Sequence, residues 1–168
     1  GRGVNAAVVP FVEAMRAAAL PARGIGWLDA ARGEAMQAFL SAGLPNTRDE
    51  LWMYAALRAL EQRGYAACDA SAATRAVDAG VLALPGVAGP RLVFVNGVYR
   101  ADLSRLDDLP PGLSVQPLSR ALAEDPGPLR FLLARRAGER QDAFAALNAA
   151  LASDGALVRV AAGAQVEM

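Results

Sequence analysis

The stretch RLVFVNGVYRADLS, residues 91–104, decides the fold. Residues 91–95 alternate as a strand requires, with Val93, Phe94 and Val95 supplying the β preference. Asn96-Gly97 provides the two positions that accept positive φ in a type I′ turn, and Val98-Tyr99-Arg100 returns the chain antiparallel to the first run. An Asn-Gly pair between apolar runs is the strongest short-range hairpin signal a sequence offers. A lone hairpin is marginal in water, so this one predicts packing partners among the helical segments before it and the strands after it.

Toward the N-terminus, Phe11, Val12, Met15, Ala19 and Leu20 recur at helical spacing over residues 8–20, with Pro10 in the first turn. A second helix spans residues 27–41, its apolar face made of Leu28, Ala31, Ala35, Met36, Phe39 and Leu40, with Gly43 as C-cap. Thr47-Arg48-Asp49-Glu50 reads as a capping box opening a third helix that carries Leu51, Trp52, Tyr54, Leu57 and Leu60 and ends near Gly64. Trp52 and Tyr54 are read as packed into a core or groove. A short helix over residues 71–80, capped by Ser71, and a short strand over 81–84 precede the hairpin. After it come a strand at 113–116, a helix at 119–124, an Arg-bearing segment at 129–138 and a helix over 142–152.

The 168 residues suit one domain, or one domain and a fragment of another, and 54% hydrophobic content is a globular composition. Lys and Arg together number 17, as do Asp and Glu, which argues against a broad electrostatic footprint for nucleic acid or a membrane surface. Every basic residue is Arg, and with the heavy use of Ala this reads as the product of a GC-rich coding sequence. The absence of His and the single Cys exclude a Cys/His zinc site and Ser-His-Asp or Cys-His catalysis within these residues. One Cys forms no internal disulfide, which fits a reducing compartment. No apolar run approaches the roughly 20 residues of a membrane span. Gly1-Arg2-Gly3 lacks an initiator Met and a signal-peptide apolar region, and reads as a processed end.

Residues with chemical potential all have simpler roles. Arg48, Asp49 and Glu50 lie in a predicted first helical turn, where acids answer the helix dipole. Cys68 has no base to lower its pKa and reads as a small hydrophobe. Gly86 and Gly89 are too sparse for a phosphate loop. Arg130, Arg135, Arg136 and Arg140 form a basic cluster diluted by Glu139 and Asp142, a solvated helix face. No residue is assigned a catalytic, cofactor-binding or metal-binding role, and the chain reads as non-enzymatic.

The tail differs in kind. Residues 155–160, GALVRV, alternate as a strand, Gly163 breaks it, and Gln165-Val166 begins another. Short strands joined by small-residue bends are how a parallel β-helix starts, and the last strand is expected to have an open edge available for self-association. The fold class is therefore α+β: a helical N-terminal part, a β-hairpin and short strands with packed helices, and C-terminal strands beginning a parallel β-helix. The expected divisions are a helical region over 1–90, a mixed hairpin and helix region of the same domain over 91–153, and the start of a truncated β-helix over 154–168.

Several of these features resemble, in order, the front of SufD, a subunit of the SUF iron–sulfur cluster assembly machinery. Trp27-Leu28 and Gly43-Leu44-Pro45-Asn46-Thr47-Arg48-Asp49-Glu50-Leu51-Trp52-Met53-Tyr54 are similar to its G-P-x-x-R-x-E-x-W-x-Y motif. Residues 92–104, LVFVNGVYRADLS, resemble its V-x-V-N-G-x-F…L-S hairpin, residues 113–122 the strand and helix that follow, and residues 142–160 the lead into its β-helix. Met53 stands where the family usually has a basic residue, and Ala55 where it usually has Thr. The resemblance implies a cytoplasmic scaffold subunit acting with SufB and SufC, mainly through regions outside these residues. The cluster is handled by the whole complex, with no cofactor in this segment, no nucleic acid and no membrane. A free-standing helical and hairpin interaction module is the alternative, and a small hydrolase or transferase using Glu50 or Cys68 a third reading.

Overall fold

The computed structural model describes residues 9–16, 20–47, 49, 52–55, 57–63, 74, 76–82, 85, 88–134 and 142–166. The chain divides into two compact units, each built from two stretches: Gly1–Ala67 with Pro126–Ala152, and Cys68–Asp125 with Ser153–Met168.

The first unit is helical. It contains α1 (Val9–Arg16), α2 (Gly26–Ala42), α3 (Arg58–Glu61), α5 (Leu129–Ala134) and α6 (Ala143–Leu151). Leu28, Ala35 and Phe39 are the buried residues of α2, with Met36 and Leu40 packed beside them, which bears out the predicted face. Gly43 closes α2 at φ 73°, donating its N–H to Phe39 O at 2.8 Å; an L side chain resists that backbone region. Opposite lies α6, whose composition of Ala and Leu favours helix and whose N-cap Asp142 accepts from Ala145 N at 2.8 Å. Its Ala143, Ala146 and Ala150 are buried, and such small side chains let two helix backbones approach closely. Phe39, wholly excluded from solvent, lies in a cluster with Val12, Leu44, Ala143 and Ala146.

The predicted third helix is not continuous. Asp49 N donates to Asn46 O (2.9 Å), Trp52 N to Asp49 O (2.8 Å) and Ala55 N to Trp52 O (2.9 Å), each closing a separate tight turn before α3 begins at Arg58. The cause is local competition: the Asp49 carboxylate accepts the Asn46 N–H at 2.8 Å and folds the chain on itself. The Thr47–Glu50 capping box lies outside the described residues, because Glu50 does. Trp52 is half-buried, its ring 5.1 Å from that of Phe144 at a tilt of 58°. Tyr54, expected in a core, is instead 95% exposed, because the turn over 52–55 points it outward.

The second unit holds a 3₁₀ turn (Ala79–Leu82), β1 (Phe94–Val95), β2 (Val98–Tyr99), a 3₁₀ turn (Ala101–Leu103), β3 (Leu113–Pro117), α4 (Leu118–Glu124) and β4 (Ala156–Val160). The hairpin is present with Asn96 at φ 51° and Gly97 at φ 79°, though its ladder is two pairs long. Residues 76–82 carry no α-helix and no strand but a single 3₁₀ turn over Ala79–Leu82. Asp78 Oδ1 takes the Gly80 N–H (2.8 Å) and Asp78 O takes the Val81 N–H (3.0 Å), so side-chain capture turns the backbone there. β4 pairs antiparallel with β3 over five residues, from Leu113↔Val160 to Pro117↔Ala156. The edge of β4 expected to be open is thus occupied on one side, since the alternation of β3 matches it. Residues 164–166 carry no strand, and 167–168 lie outside the described residues.

These burials predict a graded series in denaturant unfolding. Phe39→Ala should cost about 3–5 kcal/mol, as for a fully buried aromatic. Trp52→Ala should cost about 2 kcal/mol, its side chain being only partly buried. Tyr54→Ala should fall within about 0.5 kcal/mol of the parent. A Tyr54→Ala loss as large as that of Trp52→Ala would contradict the turn described at 52–55.

Candidate functional site

The residues of the second unit are held by side chains more than by strands. Val93 O accepts Arg100 N at 2.9 Å, but the Val93 N–H, in place of Arg100 O, is taken by Ser104 Oγ at 2.9 Å. The same hydroxyl donates to Arg100 O at 2.7 Å. Just outside, Arg91 and Arg105 exchange both backbone bonds, at 2.6 and 2.8 Å. Ser104 therefore bridges two short ladders that would otherwise be separate. This gives the Leu-Ser end of the hairpin motif a physical reason, one that the sequence reading did not draw. Arg91 Nη1 also donates to Leu82 O at 2.9 Å, fastening the 79–82 turn.

A second corner forms where the chain re-enters this unit. Ser153 Oγ donates to Gly97 O at 2.8 Å, tying the hairpin tip to a residue 56 positions away. Next to it, Asp154 accepts the Ser119 N–H (2.8 Å) and the Gly155 N–H (2.8 Å) on Oδ1, and the Ser119 hydroxyl (2.6 Å) on Oδ2. Pro117, the N-cap position of α4, offers no side-chain acceptor, so the Asp154 carboxylate, 35 residues beyond Ser119, supplies the cap. Leu118 N donates to Gly155 O at 2.8 Å and α4 packs against both strands. Nothing in the sequence marks Ser119 and Asp154 as partners; Asp154-Gly155 alone reads as a turn.

Directly paired residues of antiparallel strands share a face. Leu113 with Val160 and Val115 with Val158 therefore make one side of the ribbon apolar, and Val158 and Val160 are each 57% exposed on it. The other side carries Ser114 with Arg159 and Gln116 with the buried Leu157. Among the described residues β4 has one strand neighbour, so its outer edge and this apolar face together offer material for strand addition.

The described residues among those singled out from the sequence do not converge. Asp49 is exposed and engaged with the Asn46 N–H, while Arg48, Glu50 and Cys68 lie outside the described residues. Arg130 is exposed on α5, and Arg135, Arg136, Glu139 and Arg140 lie outside the described residues; Asp142 is a helix cap. Met53 is exposed and Ala55 half-buried. Among the described residues there is no group of three or more His, Cys, Asp or Glu placed to hold a metal, no buried polar or charged side chain, and no helix long and apolar enough to cross a membrane. What the geometry presents is an exposed apolar ribbon face on a side-chain-stitched frame.

Comparison with known proteins places this frame. Residues 14–168 match the family described as the SufBD protein N-terminal region, and the chain belongs to that family. An iron–sulfur cluster assembly SufBD family protein of Synechocystis sp. is 31% identical over 135 residues, which is 76% of this chain. The aligned region is 28% of that relative, so this chain spans well under half of its length.

Two measurements probe the stitched frame. Asp154→Ala should destabilise the protein by about 1–2 kcal/mol in urea, the range for losing a helix cap and orphaning its donors, with Ser119→Ala costing less. The Arg100 guanidinium, hydrogen-bonded to Asp102 at 2.6 and 2.8 Å, holds that carboxyl below the usual range against a smaller desolvation effect. A depressed carboxyl stabilises the fold above its unfolded pKa, and that share is lost as pH falls through the folded value. Asp102→Asn should therefore narrow the difference between urea midpoints at about pH 6 and about pH 2. An unchanged difference would show that the pair contributes nothing to stability.

Proposed function

We propose that this chain is the N-terminal part of a non-catalytic scaffold subunit for iron–sulfur cluster assembly, SufD-like and cytoplasmic, acting with SufB- and SufC-like partners. The match of residues 14–168 to the SufBD N-terminal region carries the reading, and the name of the Synechocystis relative supports the iron–sulfur connection. The preference for SufD over SufB rests on the resemblance of residues 43–54 and 92–104 to its front motifs. In this reading the cluster is cargo of the whole complex, and this segment holds no cofactor of its own. It contributes protein surface, with Tyr54 at the 52–55 turn and Val158 and Val160 on the ribbon as contact positions. In this reading residues 154–168 lead into a parallel β-helix, with β3 covering one edge of β4.

Co-expression of the full-length protein with SufB and SufC homologues from the same organism tests the proposal. The expected result is a single complex containing all three, while the purified subunit alone hydrolyses no ATP and retains no metal after chelation. A full-length protein that stays apart from both partners, or that turns over nucleotide unaided, would overturn it.

A further inference from the structure

The hairpin tip has a chemistry of its own, independent of cluster assembly. Asn96 and Gly97 are both exposed and both at positive φ, 51° and 79°. Residue 97 has no side chain to shield its amide nitrogen, and a Cβ there would lie 3.0 Å from Ser153 Oγ. The same Ser153 hydroxyl donates to Gly97 O at 2.8 Å. An asparagine followed by glycine is able to close on itself. The Gly97 nitrogen attacks Asn96 Cγ, a C–N bond forms to give a cyclic imide, and the Cγ–Nδ2 bond breaks. The Gly97 amide proton leaves with Nδ2 as ammonia. Water then opens either imide carbonyl, giving aspartate or isoaspartate, with no change of oxidation state.

We propose that Asn96 is a site of spontaneous deamidation and isomerisation whose rate is held down by the tether from Ser153. Ring closure needs Asn96 ψ to swing the Gly97 nitrogen toward Asn96 Cγ. A type I′ turn holds ψ near about +30°, the mirror of the type I value, and so keeps the reacting atoms apart. The reaction therefore proceeds from an opened tip. Two ladder pairs, Phe94↔Tyr99 and Val95↔Val98, resist that opening only weakly, because so short a hairpin is marginal by itself. The long-range bond from Ser153 adds the remaining hold. Formation of isoaspartate inserts a methylene into the backbone, so the two-residue loop no longer fits its strands and Gly97 O is carried away from Ser153. The modification thus unlatches the hairpin from the corner at 153–154.

Trypsin cleaves after Arg91 and Arg100, releasing residues 92–100, in which Asn96 is the one asparagine, so its products separate cleanly by chromatography and mass. The protein is aged at mildly alkaline pH as folded wild type, as wild type unfolded in urea, and as the folded Ser153→Ala and Ser153→Thr variants. Modification should be fastest in the unfolded chain and slowest in the folded one. Ser153→Ala should raise the folded rate about fivefold, the factor that one net hydrogen bond represents. Ser153→Thr, which keeps the hydroxyl, should restore the parent rate. Amide exchange in Ser153→Ala should quicken at Val98 and not at Leu157, showing that the tip alone has loosened. Equal rates in folded and unfolded wild type, an unchanged rate in Ser153→Ala, matched acceleration at Leu157, or no modified peptide in any sample would each overturn the proposal.

Discussion

Phe39 cannot be wetted without taking α2 from α6, and the helical unit is built around that constraint. Its ring has no exposed surface, and the groups enclosing it come from distant parts of the sequence: Val12 on α1, Leu44 after α2, and Ala143 and Ala146 on α6. Burying such a ring is worth about 1.5–3 kcal/mol, roughly twice the net value of a hydrogen bond in the unit. The alanines opposite are as necessary as the phenylalanine. A larger side chain at Ala146, 2% exposed, would push the helices apart and strip Phe39 of its contacts.

The second unit is organised by the opposite means. Its ladders are two and five pairs long and its helix seven residues, too little regular structure to hold by repetition. Stability comes instead from a few hydroxyls and carboxylates at the ends of elements, where backbone donors would otherwise lack partners. Ser104 joins the two ladders around the hairpin, Ser153 seizes its tip, and Asp154 caps α4. Gly112, at φ 82°, belongs to the same economy: an added Cβ would lie 2.5 Å from that of Ala164, so the two turns flanking the ribbon fit only with glycine there.

What could be read from the sequence was whatever depends on neighbours along the chain. The face of α2, the helix over 142–152, the C-cap at Gly43 and the Asn-Gly turn each need only a few consecutive residues to be specified. The misreadings arose where a short polar side chain competes with its own backbone. Asp49 and Asp78 turn segments that caps and apolar spacing assign to helices. The antiparallel partner of β4 and the bond between Asp154 and Ser119 were illegible for another reason. Both are set by contacts across more than thirty residues, for which periodicity carries no signal. The family motif was legible as a string, yet Ser104 explains its last letter only once the hairpin is closed.

The nesting of the two units also constrains how the polypeptide can be made. The helical unit is completed by residues 126–152, and the strand unit by residues 153–168 that follow them. As the chain emerges from a ribosome, α2 waits for α6 and β3 waits for β4, so neither unit closes until its second stretch, residues 126–152 or 153–168, is out. Loop-closure entropy rises slowly with separation, so the delay costs rate more than stability. During that interval the apolar face of α2 and the edge of β3 are exposed together, which makes nascent chains of this protein candidates for chaperone holding rather than stepwise folding.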